Sequence, residues 1–173
     1  MEKLESNLVG VTGEYYVAAE LSRRGYIASI TLRNSRGIDI IASNSDASKS
    51  ITVQVKTNSD GSAKWVVNKK SEDFYSASHF YIFVSLKPLS DEQPAYHIVP
   101  SEYVSQSIKA GHENWLSGTK KDGTPRKDSS MRKFEDLEGK YSGQWQLLGL
   151  WITQFKRYGI FTIHCSTFNG RYK

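Results

Sequence analysis

Four residues have types and spacing that could do chemistry: Glu14, Asp39, Gln54 and Lys56. Two carboxylates and an amide oxygen are hard ligands of the kind that magnesium or manganese prefers, and these ions keep several waters of their own. A lysine two residues beyond the glutamine shares its face of an extended strand. From there its ammonium can hold an attacking water or offset charge on a phosphorane-like transition state. The same residue types suit a purely structural arrangement, a buried Asp39–Lys56 ion pair with Glu14 capping something nearby. Residue types alone leave both arrangements open.

The elements that must position these groups can be read around them. Glu14 falls inside an expected helix over Val11–Arg24, favoured by its Ala, Glu and Leu content, suited at its C-terminus by Arg23 and Arg24, and closed by Gly25. At about 100° per residue, Val11, Val17, Ala18 and Leu21 all lie within about 60° of Glu14, which puts a carboxylate in the apolar stripe. Such a group is costly unless it is paired, protonated or bound to a metal. Strands are expected over Tyr26–Leu32, Ile38–Ala42 and Ile51–Thr57, with a turn at Asn34–Gly37. Alternation puts Asp39 and Ile41 on one face of the second strand. In the third, Thr52, Gln54 and Lys56 lie opposite Val53 and Val55. Antiparallel pairing would set Asp39 beside Gln54 and Lys56.

Farther on, Asn68–Ser78 carries a weak helix signal. Phe80–Leu86 reads as a central strand covered on both faces, and Ala95–Val99 as another strand. Pro100-Ser101-Glu102 opens a helix expected to run to about Lys109. Ser117–Ser130 reads as loop, Tyr141–Trp151 as an apolar segment packed on the body, and Tyr158–Phe168 as an amphipathic terminal strand. The expected fold class is α/β, an αβββαβ core with a mixed central sheet flanked by helices. One domain over residues 1–151 is expected, followed by a basic extension over 152–173.

The chain has 173 residues and a net charge of +5, unevenly placed. Ser117–Lys133 carries Lys120, Lys121, Arg126, Lys127, Arg132 and Lys133 against two aspartates, a local excess of +4, and Ile152–Lys173 carries another +4, leaving −3 for the rest. A near-neutral body with two basic stretches suits phosphate contacts, and the six cations of the first stretch are the candidates for them; solvated loops are the competing reading. No apolar run approaches the roughly 20 residues of a membrane-spanning helix, and the start shows no export signal, so a cytoplasmic location is expected. A single cysteine, Cys165, excludes an internal disulfide and a cysteine-based zinc site. His79, His97, His112 and His164 have no metal-binding spacing, and no glycine-rich phosphate loop is present. Trp65, Trp115, Trp145 and Trp151 can stack bases, but burial in one core is the stronger expectation.

Three segments in order, TGEYYVAAELSRRGY, RGIDIIASNSD and ITVQVKT, resemble the core of the PD-(D/E)XK nuclease superfamily, in its Holliday-junction-resolvase-like and Mrr-like branches. The likeness covers Thr12–Thr57 well and Phe80–Val99 more loosely. It implies a magnesium- or manganese-dependent endonuclease acting on DNA, with Glu14, Asp39, Gln54 and Lys56 at motif positions and the Val55 carbonyl helping to complete the ligand set. Gln54 stands where most members carry an acid, although Gln-x-Lys is a feature of the Mrr-like branch. The amide supplies an oxygen without charge, so the ligand set falls from about −3 to about −2 and metal affinity should weaken. A nuclease fold retained as a binding module fits the same substitution. Resolvase-like relatives commonly act as dimers, and the apolar face of Phe161, Ile163 and Cys165 makes the C-terminal extension the expected contact of a homodimer.

Overall fold

The computed structural model describes residues 4–32 and 37–150. The order of elements is α1 (Ser6–Arg23), β1 (Ile27–Ile30), β2 (Ile40–Ser43), β3 (Ser50–Asn58), β4 (Lys64–Asn68), β5 (His79–Ser85), β6 (Ala95–Pro100), α2 (Ser101–Leu116) and β7 (Met131–Glu135). Short 3-10 turns lie at Lys69–Glu72 and Trp145–Leu148. Five strands form one mixed sheet in the order β1-β2-β3-β5-β6, in which only β3 and β5 run parallel. The α/β class and the mixed central sheet flanked by helices are as expected.

Strand β5 explains the layering. All seven of its residues are buried, because alternate side chains feed two different cores. Phe80, Ile82 and Val84 join Ile51, Val53 and Val55 of β3 beneath Val17 and Leu21 of α1. Tyr81 and Phe83 point the other way and pack with Val104 and Ile108 of α2 and Phe134 of β7. Trp145, Leu148 and Leu150 close the α1 side, as expected for the apolar segment after Tyr141, and Arg24 stacks over the Trp145 ring at 4.3 Å.

The link between the parallel strands β3 and β5 differs from expectation. Asn68–Ser78 is not a helix: only Lys69–Glu72 turns, and its entry is capped by the Asn68 side chain, which accepts from the Lys70 N–H at 3.0 Å. The crossover is instead built around β4, which pairs antiparallel with β7, far along the chain. Its period-2 pattern, with Trp65 and Val67 buried between exposed Lys64, Val66 and Asn68, is a strand signal in a segment to which the sequence reading assigned no element. Helix α2 also runs past Lys109, through Gly111, to Leu116. The expected terminal strand over 158–168, the dimer contact placed on it, and Trp151, His164 and Cys165 lie outside the described residues. Among the described residues, no helix is long and apolar enough to cross a membrane.

Candidate functional site

Strands β2 and β3 bring the sequence-predicted residues together. Their register pairs Ile40 with Val53, and the Asp39 N–H donates to the Val53 carbonyl at 2.9 Å, so the ladder continues to place Asp39 across from Gln54. Parallel pairing then aligns Thr52 with His79, Gln54 with Tyr81 and Lys56 with Phe83. Asp39, Gln54 and Lys56 therefore share the sheet face that points away from α1, and all three are half-buried.

The Asp39 carboxylate is held in place by the main chain, its Oδ2 accepting the Val55 N–H at 2.7 Å. An ionised acceptor makes this one of the stronger kinds of hydrogen bond. Among the described residues no ion pair joins Asp39 to Lys56, so the structural arrangement considered from the sequence is not what organises this face. Gly37 shapes the approach to Asp39. It sits at φ +66°, and a Cβ there would lie 3.3 Å from the Phe74 ring and 3.8 Å from Gln54 Nε2.

Two residues that the sequence reading did not single out for this face complete it. Burial raises the pKa of the Tyr81 phenol, nearby Ser71 opposes that rise and the charge of Asp39 adds to it, and the hydroxyl itself is buried without a hydrogen-bond partner among the described residues. His79, 3% exposed, shares a 2.8 Å hydrogen bond between its Nδ1 and the Thr52 hydroxyl, and its Nε2 is buried without a partner among the described residues. Burial lowers the imidazole pKa, and the Thr52 contact opposes the shift without reversing it. His79 and Tyr81 became legible only when β5 was placed in register beside β3.

Glu14 enters from the other side of the sheet. The buried stripe of α1 is Val9, Gly13, Val17 and Leu21, so its centre passes through Gly13 rather than Glu14. Counting side chains hid this, because glycine adds nothing to an apolar stripe yet permits the closest approach. A Cβ on Gly13 would fall 1.9 Å from the Thr57 hydroxyl and 3.0 Å from its Cβ. That contact sets half-buried Glu14, the residue after Gly13, on the α1 side of the sheet near the C-terminal end of β3, the side opposite to Lys56.

The donors are thus carboxylate, amide and main-chain oxygens, a hard set. Among the described residues no group of three or more His, Cys, Asp or Glu gathers to hold a metal. Magnesium is commonly bound through one or two carboxylates with water filling the remaining positions, so this set fits it without a third acid.

The six basic candidates divide. Lys120, Lys121, Lys127 and Lys133 are exposed, and among the described residues none has an ion-pair partner. Arg126 donates to the Trp115 carbonyl at 2.7 Å, with its guanidinium 5.0 Å over the Trp115 ring. Arg132, placed with the outward cations by sequence, instead points inward. Its side chain is 2% exposed, pairs through Nε with Glu72, and reaches Asp128 through Nη1 at 3.4 Å. Asp128 also binds Lys69 at 3.0 Å and His112 at 2.8 Å, which holds its carboxyl well below the usual carboxylate range. Trp65 and Trp145 are buried as expected, but Trp115 is 43% exposed.

No protein family matches the sequence, and no curated protein matches it. Among solved structures the chain is similar to Hjc, a Holliday junction resolvase from the archaeal hyperthermophile Archaeoglobus fulgidus, at 13% identity and a TM-score of 0.42, over 73% of this chain and 84% of that one. It is similar as well to a bacterial homing endonuclease at 14% identity and a TM-score of 0.43, over 60% of this chain and 74% of that one.

Proposed function

We propose that this chain is a metal-dependent endonuclease that hydrolyses DNA phosphodiester bonds at the face carrying Asp39, Gln54 and Lys56. The observation that carries the reading is the convergence of an acid locked by a main-chain N–H, an amide and a lysine not tied to that acid on one half-buried sheet face. It agrees with the motif resemblance of Thr12–Thr57. Asp39 and Gln54, with the Val55 carbonyl, would hold magnesium or manganese on this face, while Glu14 lies on the α1 side of the sheet. When bound, the ion supplies Lewis-acid polarisation of the phosphate.

The chain's own residues then act as follows. The Val55 N–H keeps Asp39 oriented, so little reorganisation is needed when substrate arrives. Lys56 donates hydrogen bonds to the attacking water or to the phosphate oxygens as negative charge builds on them. Lys120, Lys121, Lys127 and Lys133 contact phosphates and set the position of the backbone without reading sequence.

The test is cleavage of plasmid DNA by wild type, Lys56→Ala and Asp39→Asn, with DNA affinity measured separately in EDTA. Lys56 works mainly in the transition state, so Lys56→Ala should lower cleavage by several orders of magnitude and shift affinity by less than about threefold. Equal cleavage by wild type and both variants would sink the assignment. A second reading, a catalytically inert DNA-binding domain, is favoured by one feature, the uncharged Gln54. It would be marked by tight binding and no cleavage in wild type, with Gln54→Glu as the variant that then restores activity.

A further inference from the structure

A cavity of about 570 Å³ lies between α2 and β7, with Gly111, Trp115 and Lys133 in its lining. Its indole is already engaged, stacked by the His112 ring at 5.4 Å and covered by the Arg126 guanidinium, and Lys133 shares the space with Glu135. The Asp39 face is different, because polar groups there lack partners.

Two of these groups are fully buried. The Tyr81 hydroxyl and His79 Nε2 have no hydrogen-bond partner among the described residues, and the two residues are 0% and 3% exposed. Buried polar groups in folded proteins are nearly always paired, so two on one face call for a reason. The Phe74 ring helps to seal them, meeting His79 edge-to-face at 4.9 Å. The third group is the half-buried side-chain amide of Gln54, which also makes no hydrogen bond among the described residues.

Strand register puts the three together. Gln54 of β3 pairs with Tyr81 of β5, and Thr52 with His79, so the four side chains rise from adjacent positions on one face. Neighbouring strands lie about 4.8 Å apart, a gap that a tyrosine and a glutamine can close between them. The charge of Asp39 is also felt at the Tyr81 phenol.

An amide makes a demand here that a carboxylate does not. Either oxygen of a carboxylate can face a cation, whereas glutamine has one oxygen and one amino group. Turned the wrong way, Gln54 would present hydrogens to a cation. We propose that Tyr81 is the positioning residue that prevents this: its hydroxyl oxygen accepts an Nε2–H of Gln54 and leaves the Gln54 carbonyl oxygen turned toward the metal. The Tyr81 hydroxyl proton is in turn donated to His79 Nε2, while His79 Nδ1 keeps its 2.8 Å bond with the Thr52 hydroxyl. One chain of hydrogen bonds thus satisfies both buried atoms and fixes the amide. The inference rests on the metal-dependent reading above and deepens it, giving the means by which an uncharged residue serves at that position.

The test is manganese binding, read from the EPR signal of the free ion, together with thermal melting in EDTA. Tyr81→Phe removes the hydroxyl and keeps the ring. In EDTA it should melt at or above the wild-type temperature, since it deletes a buried group that has no partner. Its manganese affinity should nonetheless fall roughly 10-fold, the low end of the cost of removing an outer partner of a metal ligand. Gln54→Glu has no amino group to orient, so adding Tyr81→Phe to it should change affinity by less than about threefold. A merely structural Tyr81 would lower the melting temperature and weaken manganese binding equally in both backgrounds, and that result overturns the inference. Unchanged manganese affinity in Tyr81→Phe overturns it too and leaves the nuclease reading standing. Wild type with no measurable manganese affinity overturns both.

Discussion

On strand β3, Ile51, Val53 and Val55 turn toward α1 and are buried, whereas Thr52, Gln54 and Lys56 turn toward the other layer and stay half-buried. The two sides of one strand thus belong to different environments. The α1 side is closed mainly by aliphatic and aromatic groups, with the Tyr26 phenol and the Thr57 hydroxyl buried there without hydrogen-bond partners among the described residues. The opposite side tolerates Asp39, His79 and a lysine, each of which costs burial energy unless something compensates it.

The helices covering the two sides differ in the same sense, and their glycines expose it. Gly13 of α1 is pressed on Thr57, while Gly111 of α2 faces open space. The sharpest way to break the comparison is therefore the same substitution at both positions. Gly13→Ala forces Thr57 and its strand to move, and should destabilise the protein by about 1–3 kcal/mol in urea titrations. A neutral Gly13→Ala would show that α1 does not sit as tightly as its contact with β3 implies. Gly111→Ala should have the opposite sign, a gain of about 0.5–1 kcal/mol from the better helix former, read as a higher melting temperature. A loss of stability there would mean that the cavity floor is not open.

The smallest effect concerns the polar side itself. Burial depresses the His79 pKa below its ordinary 6.5 in the folded chain, with Thr52 opposing the shift. Between the two values the unfolded chain binds more protons. The stability that His79 contributes is therefore complete above about 6.5 and is lost as pH falls through the folded value. Wild type should lose stability between pH 7 and pH 5, and His79→Gln should flatten that part of the profile. Parallel profiles for the two proteins would show that His79 takes no part in it.

Much of the site was legible locally. Alternation put Asp39 on one face of IDIIA and Gln54 with Lys56 on one face of ITVQVKT, and a hairpin-length polar connection made antiparallel pairing, which brings those two faces to the same side of the sheet, the natural way to join them. Glu14 was legible only in part, because a helical wheel weighs side chains and the stripe of α1 runs through a residue that has none. The crossover strand went unassigned for a related reason. Lys64–Asn68 signals a strand, but its partner β7 begins at Met131, and no local window contains both.

What the sequence determined by itself is the set of faces: which residues alternate, which acids and which lysine share a side, and where basic residues accumulate. These follow from covalent periodicity and need no knowledge of distant partners. Tertiary structure alone decided which charges are spent and which are available. Arg132 and Lys133 are adjacent and alike in charge, yet Arg132 is buried against Glu72, 60 residues away, while Lys133 faces the cavity. It likewise decided that Trp65 fills a core and Trp115 lines a cleft. A side chain's electrostatic partner and its solvent exposure are properties of the packed neighbourhood, and that neighbourhood is assembled from segments far apart in the chain.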